Sequence, residues 1–138
     1  MTKEDKELVY RELCSRIPYG VKFLWDEHGL EGGSKVVKLY EIKVYGRIID
    51  DYVFSGLGQP EPGYEYNCRI DDIKLYLRPM SSMTREEHAY YVYYQSRLRD
   101  GVLGTIGEYL DWLNKNMFDY SGLIERGLAI EAPEGMYK

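Results

Sequence analysis

The stretch DIKLYLRPMSSMTREEHAYY, residues 72–91, changes its periodicity halfway along. Up to Arg78 the residues alternate: Ile73, Leu75 and Leu77 against Lys74, Tyr76 and Arg78. That is the pattern of a strand with one buried wall and one wet wall. From Thr84 the spacing becomes helical. TREE is a capping-box signature, in which Thr84 holds the Glu87 N–H and the Glu87 carboxylate returns to the Thr84 N–H. Pro79 ends the strand without needing a donor, and Met80 and Met83 suit a joint that needs adaptable apolar filler. A sheet stops here and a helical layer begins.

Upstream, residues 2–16 read as a helix, and Val9, Leu13 and Ile17 recur every four residues, flanked by Tyr10 and Cys14. Thr2 is placed to cap this helix, and Pro18 with Gly20 to stop it. The period then falls to two. VKFLWDE puts Val21, Phe23 and Trp25 on one face, and EHGLEGGS reads as a Gly-rich turn. KVVKLYEIKVY reads as a long strand, Gly46 as a tight turn, and RIIDDYVF as the returning strand of a hairpin. SGLGQPEPG, residues 55–63, is the longest loop signal, and YEYNCRI is the cleanest alternation.

Downstream of the joint, Tyr90, Tyr91, Tyr94 and Leu98 share a packing face, and Gly101 and Gly104 break that helix. TIGE from Thr105 reads as a second capping box opening a helix to about Met117. Ile106, Tyr109, Leu110, Leu113 and Met117 form its regular stripe. A short helical turn over residues 121–126 and a final extended segment in LAIEAPEGMYK complete the reading. The expected fold is α+β in a single compact domain, residues 1–138. It has an N-terminal helix, about five mostly antiparallel strands, then two or three C-terminal helices packed on one face of the sheet.

The chain has 138 residues, 44% hydrophobic and 30% charged, enough for a real core without metal or disulfide staples. Tyrosine is over-represented, at 15 against 3 Phe and 2 Trp, which suits boundary and contact surfaces. A net charge of −5 supplies no basic field for a phosphate backbone, so nucleic acid is disfavoured as a partner. Cys14 and Cys68 stand apart, with no zinc-ligand spacing. The charged start MTKEDKELVY is unlike a signal peptide, and no apolar run suggests a membrane span. A cytoplasmic location is expected.

The joint itself offers a candidate ligand site: Arg78, Ser81 and Ser82 beside a helix N-terminus that attracts anions. Against it, Glu86 and Glu87 already answer the helix dipole and repel an anion. The doublets Asp50-Asp51 and Asp71-Asp72 each offer one carboxylate per sheet face, a poor Mg²⁺ site. His28 and His88 lack a local nucleophile or carboxylate partner. No catalytic, metal or cofactor motif is present, so no catalytic residue, metal or cofactor is assigned. Trp112, Phe118 and Tyr120 widen the aromatic face of the last helix and are the candidate interface.

The segments ELCSRIPYGV, YLRPMSSMTREE and YLDWLNKNMFDYSGLIERGLAIEAPEGMYK resemble a group of short uncharacterised proteins encoded in gut-bacterial genomes, prophages and other mobile elements. The resemblance implies a small soluble bacterial or phage-related protein and carries no activity or site residues with it. The function expected from the residues is a non-enzymatic interaction or accessory module whose partner is another protein or a second copy. Two alternatives stand beside it. One is a single-stranded nucleic-acid binder stacking bases on tyrosines. The other is a small hydrolase or transferase built on Arg78, His88 and the acidic doublets.

Overall fold

The structure is a computed structural model that describes residues 2–25, 35–41, 53–59 and 65–137. Helix α1 (Lys3–Cys14) is opened by a capping box. The Thr2 hydroxyl accepts from Asp5 N–H at 3.1 Å, and the Asp5 carboxylate accepts from Thr2 N–H at 3.2 Å. The helix ends two residues short of Arg16, where a 3₁₀ turn over Ile17–Tyr19 leads to Gly20 in the left-handed region.

Six strands follow: β1 (Lys22–Trp25), β2 (Lys35–Glu41), β3 (Val53–Gln59), β4 (Glu65–Arg69), β5 (Ile73–Leu77) and β6 (Ala129–Glu131). They form one sheet in the order β4-β3-β2-β1-β5-β6, antiparallel except for the parallel β5–β6 pair. Among the described residues the strands are one more than the five expected, because the C-terminal extended segment pairs with β5. The expected loop from Ser55 is overturned over its first part: Ser55 to Gln59 belong to β3, paired with β2 on one side and β4 on the other. Gly56 and Gly58 carry little strand preference of their own, but backbone ladders on both sides hold them. The turns expected over 26–34 and at Gly46, and the strand residues 42–52, lie outside the described residues.

The strand order forces the sheet to curl. Four strand spacings separate β4 from β5, about 19 Å if flat. Only Ile70–Asp72 join them, and the four steps from Arg69 to Ile73 reach at most about 14 Å. The two strands can be joined so briefly only if the sheet bends round on itself. Phe23 opposite Leu75 and Trp25 opposite Ile73 line the buried wall, and Val9 and Leu13 of α1 pack in the same core cluster.

The expected placement of the C-terminal helices on one face of the sheet is corrected. Among the described residues, no residue of α2 (Arg85–Arg99) or α3 (Thr105–Lys115) belongs to that core cluster, and α2 buries none of its residues. The helix that shares the sheet's core is α1. The TIGE capping box is also absent. Gly104, at φ 80°, is the N-cap, which moves Thr105 into the helix and into full burial. Residues 121–126 form turns rather than a helix, held by the Asp119 carboxylate accepting from Leu123 and Ile124 N–H.

Candidate functional site

The strand-to-helix joint is built as its residues suggest. The Thr84 hydroxyl accepts from Glu87 N–H at 3.1 Å, and Glu87 Oε1 accepts from Thr84 N–H at 2.9 Å. The same carboxylate takes both arms of Arg78, Nη1 to Oε2 and Nη2 to Oε1, each at 2.7 Å. The Arg78 guanidinium also lies 4.4 Å above the Phe118 ring. This bidentate hydrogen bonding, the largest influence on Glu87, holds its carboxyl down at about 2.

A cleft of about 630 Å³ opens here, lined by Arg78, Ser82, Thr84, Glu86, Glu87, Asn116 and residues 132–137. Its chemistry is quiet. The cation is committed to Glu87, the Ser82 hydroxyl donates to Pro79 O at 2.7 Å, and the Thr84 hydroxyl is the helix cap. Ser81 is exposed and lies outside the lining. His88, Asp71 and Asp72 also lie outside it. His88 sits against Tyr91, with ring centroids 6.0 Å apart, and Asp71 pairs with Lys6 at 3.3 Å. Asp50, Asp51 and His28 lie outside the described residues. Among the described residues no three metal-ligating side chains converge.

The second region is the hairpin of α2 and α3. Its rings form a continuous chain: Phe118 to Trp112 at 5.4 Å, Trp112 to Tyr94 at 5.6 Å, Tyr94 to Tyr109 at 5.5 Å, and Tyr109 to Tyr91 at 6.4 Å. Burial among these rings pushes the Tyr94 and Tyr109 hydroxyls above the usual tyrosine range. The three residues expected at an interface sit at the root of this chain. Phe118 is fully buried and Trp112 is half-buried. The Tyr120 hydroxyl donates to Asn114 Oδ1 at 2.7 Å, with Arg16 5.1 Å from the centre of its ring.

The exposed apolar surface is elsewhere. Of the regular stripe read from Ile106 to Met117, only Leu113 and Met117 are buried, while Ile106 is 56% exposed and Leu110 also lies open. Leu103, at the tip between the helices, is 97% exposed. On α2, Tyr90, Val92 and Tyr93 are each about half exposed. A shallow hollow of about 360 Å³ is lined by Glu86, Ala89, Tyr90 and Tyr93.

Sequence reasoning missed a third feature, a buried ion pair. Arg16 is fully buried, with Nη1 2.7 Å from Glu12 Oε2 and Nη2 donating to Phe118 O at 2.7 Å. Ser121 Oγ donates to the other Glu12 oxygen at 2.6 Å. The Glu12–Arg16 spacing of four was its only signal, and on most helices that spacing marks a solvated pair. The pair fastens α1 to the C-terminal segment.

No protein family, curated protein or solved structure matches this chain.

Proposed function

We propose that this protein is a non-enzymatic interaction or accessory module of bacterial or phage origin, working in the cytoplasm, and that its contact surface is the outer side of the α2–α3 hairpin. The observation that carries this reading is a fifteen-residue capped helix that buries no residue yet presents Tyr90, Val92 and Tyr93. A helix held by its cap, the Arg78–Glu87 ion pair and ring contacts along one side has spare surface, and open apolar groups at such a place suit a protein partner. Leu103 and Ile106 extend the apolar surface at the tip. No helix among the described residues is long and apolar enough to cross a membrane.

The alternatives draw less support. Tyr91, Tyr94 and Tyr109 of the hairpin are engaged in tilted contacts with neighbouring rings, leaving fewer faces for bases. The guanidinium of Arg78, on which a small enzyme would depend, is held by Glu87.

The test is a pull-down from bacterial lysate with tagged protein, beside a variant carrying Tyr93→Ser, Leu103→Ser and Ile106→Ser. These positions are open, so the variant keeps its far-UV circular dichroism. Wild type retains a protein, itself or another, that the variant loses. Retention of nothing, or equal retention by both, sinks the reading.

A further inference from the structure

The outer stripe of α2 is self-complementary. At 100° per residue, Glu86, Ala89, Tyr90, Tyr93 and Arg97 fall within about 100° of arc. The centre of the stripe lies about 120° round the helix from the side on which Tyr91 and Tyr94 meet Tyr109, with Tyr90 at its edge, its ring 6.2 Å from that of Trp112. The stripe is an acid at one end, a base at the other, and a small residue with two half-exposed tyrosines between. The Glu86 side chain makes no hydrogen bond or ion pair among the described residues. Arg97 likewise has no carboxylate there, and its Nε lacks a hydrogen-bond partner. The Arg97 guanidinium is held on the stripe by the Tyr93 ring, 5.3 Å from its centroid.

We infer that this stripe binds the same stripe of a second copy, as an antiparallel α2–α2 pair about a two-fold axis. The inference rests on the hairpin being a contact surface, and it names the occupant. The arithmetic of the stripe carries it. Glu86 and Arg97 are equidistant from the midpoint between residues 91 and 92, and so are Tyr90 and Tyr93. An antiparallel two-fold at that midpoint sets Glu86 against the partner's Arg97 at both ends. It sets Tyr90 against the partner's Tyr93 on both sides of the axis, as an isologous interface requires. Ala89 leaves room for the helices to approach over the hollow. Both unpaired charges thereby gain partners in one step, and four half-exposed rings are covered. A parallel pairing would instead put Glu86 against Glu86 and Arg97 against Arg97.

A single-helix seam is smaller than the roughly 800 Å² per partner of a standard interface, so the dimer should be reversible, dissociating at roughly 10–100 µM. Sedimentation velocity from roughly 5 to 500 µM reads this directly. Wild type moves from monomer to dimer across the range. Glu86→Arg and Arg97→Glu each place like charges at both ends and weaken the dimer about tenfold or more.

The decisive sample is the equimolar mixture of those two variants. Each copy then offers the other an opposite charge at both ends, and the mixture dimerises although neither component does. The double variant Glu86→Arg/Arg97→Glu dimerises alone for the same reason. Far-UV circular dichroism checks that every variant keeps its helices. A wild type that stays monomeric throughout overturns the proposal, as does a dimer indifferent to both single changes or a mixture as monomeric as its parts. A monomeric wild type that still captures a lysate protein through the hairpin would defeat the two-fold pairing and leave the interaction reading intact. A monomer that captures nothing defeats both.

Discussion

Arg16, Glu12 and Phe118 are the residues on which the two ends of the chain meet. Arg16 is fully buried, and its charge is met by one carboxylate and two carbonyl oxygens, those of Glu12 and Phe118. Desolvating two charges costs several kcal/mol, which the pair recovers only while every partner stays in place. Arg16→Met should therefore destabilise by about 3–5 kcal/mol in urea unfolding, because buried Glu12 loses its close cation and keeps only the exposed Arg11 at 3.9 Å. The double change Glu12→Leu/Arg16→Met should cost clearly less than the sum of its parts. Simple additivity would show that the two residues act independently. Next to Phe118, Met117 has φ 60°, a left-handed backbone that side chains avoid. It is held there by Arg78 N–H donating to Met117 O at 2.7 Å and Asp119 N–H donating to Arg78 O at 2.8 Å. The end of α3 supports the same conformation, with Phe118 N–H donating to Leu113 O at 3.0 Å and Met117 N–H to Asn114 O at 3.1 Å, but NMFDY lacks the glycine that usually announces such a cap.

At the scale of elements, the caps were legible and the packing was not. TREE in α2 forms the predicted box, because that motif needs only four consecutive residues. TIGE has the same form and fails. Gly104 takes the cap position, and Thr105 is drawn into full burial with its hydroxyl unpartnered among the described residues. The Glu87 carboxylate joins the cap to Arg78, and this gives α2 an acid response. Its pKa lies below the ordinary carboxylate range, so its contribution is complete above about pH 4.3 and is lost as pH falls toward about 2. The site is partly open to solvent, which keeps that contribution modest. Glu87→Gln should cost about 1 kcal/mol at neutral pH. The gap from wild type in thermal melts should close as pH falls through 4 toward about 2. A gap that persists to pH 2 would show that the charge on Glu87 is not what stabilises the joint.

At the scale of the whole molecule, the C-terminal tail ties together two neighbouring strands of the sheet. Tyr137 sits where β1 extends past the end of its pairing with β5, which starts at Phe23 and Leu75. Its hydroxyl accepts from Lys22 N–H at 3.0 Å and donates to Tyr76 O at 2.7 Å, and the Lys22 ammonium donates to Met136 O at 3.1 Å. Burial pushes the Tyr137 hydroxyl up to about 12. The raised value means its stabilisation is complete below about pH 10 and is lost as pH rises through about 12. Tyr137→Phe leaves the Lys22 N–H without that acceptor and should cost about 1–3 kcal/mol. The difference from wild type should vanish in alkaline unfolding between pH 10 and 12; an equal difference at both ends of that range would assign the effect to packing instead.

The sequence by itself determined the alternating walls of β1 and β5, the capped starts of α1 and α2, and the joint between sheet and helices. Each of those is settled by residues within a few positions of one another. Tertiary structure decided the strand order, the enrolment of Gly56 and Gly58 in β3, and the burial of Arg16. It also decided which side of the aromatic hairpin stays open, turning Trp112, Phe118 and Tyr120 toward the root and leaving Tyr90, Tyr93 and Ile106 outside. A hydrophobic stripe states only that a face prefers cover; whether cover arrives depends on where distant strands and helices come to lie.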